Sequence, residues 1–230
     1  LYPNYFLIKC DNLLDKHRLE KTRKEVNATF LKRFNKKVLY SILDKWESKK
    51  WLKKRIPILK EAIVSHINNR YYASISVILP QIEGIIVFGY GQYGYMNQKK
   101  LKKYIKKLLK DDEKCSFDSA IKRFYLEIIL NNFEHGKPPE SFLSRHAILH
   151  GGDMDLGTAE NSLKSILMFD YIQDKFRLIS INNKDEYHLP NCSILNENKN
   201  SEWILYNNYL EAEDNGKKPC RICKPHFNFA

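Results

Sequence analysis

The stretch SRHAILHGG, residues 144–152, decides how the chain is read. Arg145 supplies a permanent cation, and His146 and His150 supply two groups that exchange protons near neutrality. On a helix the two histidines lie four positions apart and share a face, while the long Arg145 side chain reaches round from the flank. All three can then converge on one phosphate, arginine through forked contacts with its oxygens and imidazole as acid or base. A His pair at this spacing is also a metal-ligand arrangement, and Asp153 or Asp155 would complete a metal-dependent hydrolase site. In a third reading His150 only ends a helix before Gly151 and Gly152, and the segment is a non-catalytic scaffold that binds a partner.

Downstream, Gly151, Gly152 and Gly157 separate this stretch from a helix predicted over 158–176, which begins TAENSLKSILMFDYI and has Thr158 as N-cap and Glu160 suited to the dipole of its first turn. Upstream lies ISVILPQIEGII, residues 75–86, within a dense apolar run from Tyr71 to Phe88. Gln81, Glu83 and Pro80 in its middle predict a buried core helix and no membrane span. Glu83 is its lone acid. Burial of an unpaired carboxylate is costly, so Glu83 is expected to pair with Arg145 or to orient a motif histidine.

Arg145, the polar His146, three variable positions and His150, followed by a final helix, resemble the HEPN family of ribonucleases over roughly residues 57–177. That resemblance implies a helical bundle and a metal-independent endoribonuclease in which the RNA 2′-hydroxyl attacks and leaves a 2′,3′-cyclic phosphate. Arg145, His146 and His150 would form the catalytic set, with Glu83 in support. It also implies a homodimer with two motifs facing one groove, and a toxin or antiviral defence effector restrained by an antitoxin or regulatory protein.

The charge balance suits such a partner. Lys and Arg number 39 against 27 Asp and Glu, a formal net charge of +12, which attracts polyanions such as RNA. A lysine-rich coding bias would give the same balance. KKLKKYIKKLLK, residues 99–110, sets Leu101, Ile105, Leu108 and Leu109 on one helical stripe, leaving a lysine face that is either solvated or turned to RNA. The Gly89, Gly91 and Gly94 loop matches no phosphate-binding fingerprint. Val38, Leu39, Ile42, Leu43 and Trp46 recur at helical spacing, as do Leu59, Ile63 and Ile67, and then Phe117, Ile121, Phe124, Tyr125 and Ile128. Ser116 or Asp118 can cap the last of these helices, and another is predicted over 141–150. Leu1–Cys10 carries only a brief apolar patch, which predicts no signal peptide.

After residue 177 the periodicity turns β-like, in Leu178, Ile179 and Ile181 and again in 203–206. The same region holds His188, three residues, Cys192, 27 residues, Cys220, two residues and Cys223. One imidazole and three thiolates make a tetrahedral zinc set, with His226 as a substitute ligand. Five cysteines are an odd number, and three of them fall in this pattern, which predicts a structural Zn²⁺ in a reducing cytoplasm with no disulfide framework. WILYNNYLEAEDNGKKPCRICKP, residues 203–225, resembles the zinc domain of Ada-type alkylation-response proteins. That family's first ligand is a methyl-accepting cysteine. His188 stands in its place, so the module reads as structural or nucleic-acid-binding. The expected architecture is mainly α: an N-terminal helical segment (1–56), a HEPN-like helical bundle (57–178) and a small α+β zinc module (179–230).

Overall fold

Polar side chains set where four of the helices begin. Asn35 accepts from the N–H groups of Lys37 and Val38 at 3.0 and 3.2 Å, and Asn97 from Lys100 at 2.8 Å. Ser144 accepts from Ala147 at 3.3 Å and Thr158 from Asn161 at 3.1 Å. Each satisfies a first-turn donor that has no partner within its helix.

The computed structural model describes residues 16–90, 94–109, 117–176, 178–189, 192–198, 200–206, 209–223 and 225. In chain order come α1 (Lys16–Arg33), α2 (Lys36–Glu47), α3 (Ile56–Ile67), α4 (Tyr71–Gly89) and α5 (Gln98–Leu108). They are followed by α6 (Phe117–Arg123), α7 (Arg145–Leu149) and α8 (Ala159–Asp174). The C-terminal module then adds β1 (Leu178–Ile181), β2 (Glu186–His188), α9 (Ser193–Glu197), β3 (Trp203–Tyr206), α10 (Tyr209–Asp214) and β4 (Lys218–Pro219). The fold is thus mainly helical, with a small four-stranded sheet at its C-terminal end. Ser116, Gly91 and His226 lie outside the described residues.

α4 is the centre of the bundle. Ile75, Ile78, Leu79, Ile82, Ile85 and Ile86 are buried, and the helix packs against α3 and α8. Its length and apolarity would suffice to cross a membrane, but here that apolar surface meets neighbouring helices. The same core takes in Leu39, Leu43 and Trp46 of α2, so the N-terminal helices pack with the bundle. Trp46 lies edge-on to Phe169 at 4.8 Å and donates its indole N–H to Asp170 at 2.8 Å. Lys45 bridges Asp170 and Asp174 at 3.0 and 2.6 Å, and Lys49 reaches Asp174 at 2.5 Å.

Two segments differ from the periodicity reading. The helix expected over 141–150 is a single turn, Arg145–Leu149, because Ser141 and Ser144 spend their hydroxyls on local backbone. Ser141 accepts from Leu143 N–H and donates to the Ile128 carbonyl, while Ser144 caps α7, which is how serine diverts a chain from helix. α6 continues as a π-helix over Phe124–Ile129, with Leu130 N–H bonded to the Tyr125 carbonyl at 2.8 Å. Such widened turns occur often at functional sites.

The sheet order is β3-β1-β2-β4, with β1 antiparallel to both its neighbours and β2 parallel to β4. Phe88 of α4 joins bundle to module, stacking on Trp51 at 6.1 Å on one side and meeting Tyr209 of α10 at 5.6 Å on the other. Gly89 is required at this junction, since a Cβ there would lie 2.2 Å from the Phe176 ring.

One buried histidine is expected to make the bundle acid-sensitive. His66 Nδ1 sits 2.8 Å from Ser162 Oγ, whose hydroxyl donates to Ser74. Burial brings its pKa down to about 4. In the unfolded chain it titrates near 6.5, so its contribution is undiminished above that pH and is lost progressively as pH falls towards 4. Its loss reaches about 3 kcal/mol. Urea unfolding at pH 7 and pH 4.5 is expected to show a smaller acid loss for His66→Asn than for wild type; equal losses would remove His66 as the cause.

Candidate functional site

The single turn of α7 is held from both ends. Ser144 caps it and donates to the Asn131 carbonyl at 3.0 Å. At its other end Gly151 adopts φ +70°, and Gly152 N–H closes on the Ala147 carbonyl at 2.7 Å. This turn projects Arg145 back towards α4, where its Nη2 meets Glu83 Oε2 at 2.5 Å. Both side chains are about four-fifths buried, at 20% and 19% exposed. Arg145 Nε is buried with no hydrogen-bond partner, so the guanidinium is fixed by charge and retains unused donor capacity. Tyr125 of the π-helix lies beside the pair. Burial foremost, and then the Glu83 charge, push its hydroxyl far above the usual range, with Arg145 opposing.

His146 is half-buried and His150 exposed, their ring centroids 5.5 Å apart and nearly perpendicular. Burial, then the Arg145 and His150 charges, lower the His146 pKa, against an opposing pull from Glu83. His146 is therefore neutral at neutral pH. The arrangement joins a fixed cation to a neutral imidazole and an accessible one, a set able to hold an anionic ester and move a proton on it.

His135 is a residue that no sequence motif singles out. Its ring lies 6.2 Å from that of His150 and edge-on to Phe133 at 4.8 Å. Periodicity offered no sign of it, since a turn and two prolines intervene between residues 135 and 145. The one available cue is that His135–Gly136 and His150–Gly151 are the same dipeptide, each glycine at positive φ.

Among the described residues, Asp153 and Asp155, which would complete a metal site with His146 and His150, do not gather with them. Asp153 instead accepts from its own turn, at Asp155 N–H. Among the described residues, the one group spaced to hold a metal is His188, Cys192, Cys220 and Cys223, whose ligand atoms all lie within 4.8 Å of one another. The register explains the gathering. β2 ends in His188 and pairs in parallel with β4, so Cys220, just beyond Pro219, arrives alongside; Cys192 precedes α9. Cys192 and Cys220 sulfurs are 4.0 Å apart, near the roughly 3.8 Å edge of a tetrahedron with Zn–S bonds of about 2.3 Å. Leu189 N–H donates to Cys223 Sγ at 3.3 Å, and Ile222 N–H to Cys220 Sγ at 3.4 Å. His188 Nδ1 is buried and has no hydrogen-bond partner. Burial lowers the His188 pKa and raises those of Cys220 and Cys223, which leaves these two thiols in need of a cation before they ionise. The four residues can hold a metal ion such as zinc.

The lysine face of α5 forms an open groove of about 560 Å³ lined by Gln98, Lys99, Lys102, Lys103 and Lys106. Gln98 also donates to the Leu130 carbonyl at 2.8 Å, and Leu130 opens the segment that leads to His135. The basic groove and the histidines are thus connected through one short stretch of backbone. No family model matches the chain, and no curated protein or solved structure shows significant similarity to it.

Proposed function

We propose that the protein is a metal-independent endoribonuclease of HEPN-like type, acting as a homodimer, with a structural zinc in its C-terminal module. The observation that carries this reading is the Arg145 guanidinium, tied to Glu83 and presented beside His146 and His150. RNA supplies its own nucleophile. His150 takes the proton of the 2′-hydroxyl as the 2′-oxygen bonds to phosphorus, and Arg145 stabilises the charge on the non-bridging oxygens. A neutral His146 lets His150 gain that proton without a second imidazolium 5.5 Å away. The phosphorus to 5′-oxygen bond breaks, leaving a cyclic phosphate and a 5′-hydroxyl. The groove of α5 supplies cations for the flanking backbone.

Zinc is the metal the donor set favours, since three sulfurs and one imidazole close a tetrahedral site with no position open for substrate. Its role is to hold the module together, and the chemistry on RNA belongs to the bundle. The test is incubation of the full chain and His150→Ala with mixed RNA in magnesium-free buffer, with product ends mapped. Wild type is expected to yield 2′,3′-cyclic ends and the variant almost none. Intact RNA that binds in a steeply salt-dependent way, unaffected by His150→Ala, would replace catalysis with binding alone.

A further inference from the structure

In-line cleavage of RNA needs two proton transfers, one from the attacking 2′-hydroxyl and one to the departing 5′-oxygen, on opposite sides of the phosphorus. Arg145 cannot act as an acid, and burial together with the Arg145 and His150 charges lowers the His146 pKa, which disfavours the protonated form an acid needs. From the geometry we infer that His135 is the catalytic acid of the ribonuclease reaction proposed above, on which this assignment rests.

The residues around His135 hold it in place. The segment 131–135 is fixed to α7 at two points: Ser144 donates to the Asn131 carbonyl, and the Phe133 ring occupies the space above Gly152, where a Cβ would lie 1.9 Å from it. Phe133 in turn backs the His135 ring. The same contacts that position His150 at the end of α7 therefore position His135 across from it. At 6.2 Å between centroids the two imidazoles are too far apart to hydrogen-bond ring to ring, and near enough to straddle one phosphodiester. Both are exposed, so substrate can enter between them. As the bond from phosphorus to the 5′-oxygen breaks, the His135 imidazolium gives its proton to that oxygen. His150, protonated by the 2′-hydroxyl, and neutral His135 then return to their starting states through solvent.

A general acid matters only when the leaving group needs a proton. Full-length wild type, His135→Ala and His150→Ala are therefore compared on RNA and on a nucleoside 3′-(4-nitrophenyl phosphate), whose phenoxide leaves unaided. His135→Ala is expected to slow RNA cleavage by about 100-fold while staying within a few-fold of wild type on the aryl ester. His150→Ala slows both. Equal losses on the two substrates for His135→Ala would mean that the residue only shapes the loop, and no loss on RNA would likewise overturn its role as acid. Wild type inert towards both substrates would overturn the ribonuclease reading itself, and this assignment with it.

Discussion

Removal of the metal is expected to unfold residues 178–223 and to leave the helical bundle standing. The module's own cores are small: Leu178, Tyr187, Leu189, Tyr206, Tyr209 and Ala212 form one, and Ile179, Ile181 and Leu195 gather with Cys192 and Cys220 in the other. A segment of this size buries too little apolar surface to offset its conformational entropy. Two of its strands are only three and two residues long. What binds these pieces is the Cys and His cluster, and zinc at such a site contributes on the order of 10 kcal/mol or more of apparent free energy to folding. Among the described residues, the bundle core is in contrast built from residues between Val26 and Phe176. Elemental analysis is expected to return one zinc per chain, and Cys220→Ser to abolish it. After chelation, limited proteolysis should cut freely beyond residue 177 while a fragment carrying the bundle persists. Resistance of the module to protease after its zinc has gone would show that packing alone sustains it.

How far the chain's sequence foretells this arrangement depends on the range of the interactions that specify each part. α2, α4, α5 and α8 follow from apolar spacing because each lays one face or more on a common core, and Leu101, Ile105, Leu108 and Leu109 are buried as their stripe predicts. The ligand cluster was readable because thiolate chemistry restricts which residues and spacings can serve. Where competition is local, periodicity misleads: Ser141 and Ser144 draw the chain into turns, and α7 shrinks to one turn. β2 and β4 are too short to carry a period. His135 became visible only in three dimensions, since Phe133 on Gly152 sets its position and no sequence interval encodes that contact. Glu83 is the reverse case. A single carboxylate in an apolar helix demands a cation, and Arg145 meets it from 62 residues away.

The Arg145–Glu83 ion pair carries the second large effect, because on the proposed reading its two members would serve stability together and function separately. Arg145→Ala leaves Glu83 largely buried beside Tyr125 with no counter-charge, and is expected to cost about 3 kcal/mol of stability as well as RNA cleavage. Loss of activity in that variant alone would be ambiguous, since a loosened α7 would also displace His146 and His150. Replacing both partners by apolar residues of similar size, Glu83→Leu with Arg145→Met, removes the uncompensated charge. Such exchanges are often neutral or stabilising. The double variant is therefore expected to recover wild-type resistance to urea while remaining at least about 100-fold impaired on RNA, because no cation faces the phosphorane oxygens. Glu83→Gln separates the roles further: it keeps the shape, frees the Arg145 charge from its partner and should lower activity less than loss of the arginine. If the double variant cleaves RNA at the wild-type rate, Arg145 is a structural cation and the catalytic charge must be sought among the lysines of α5.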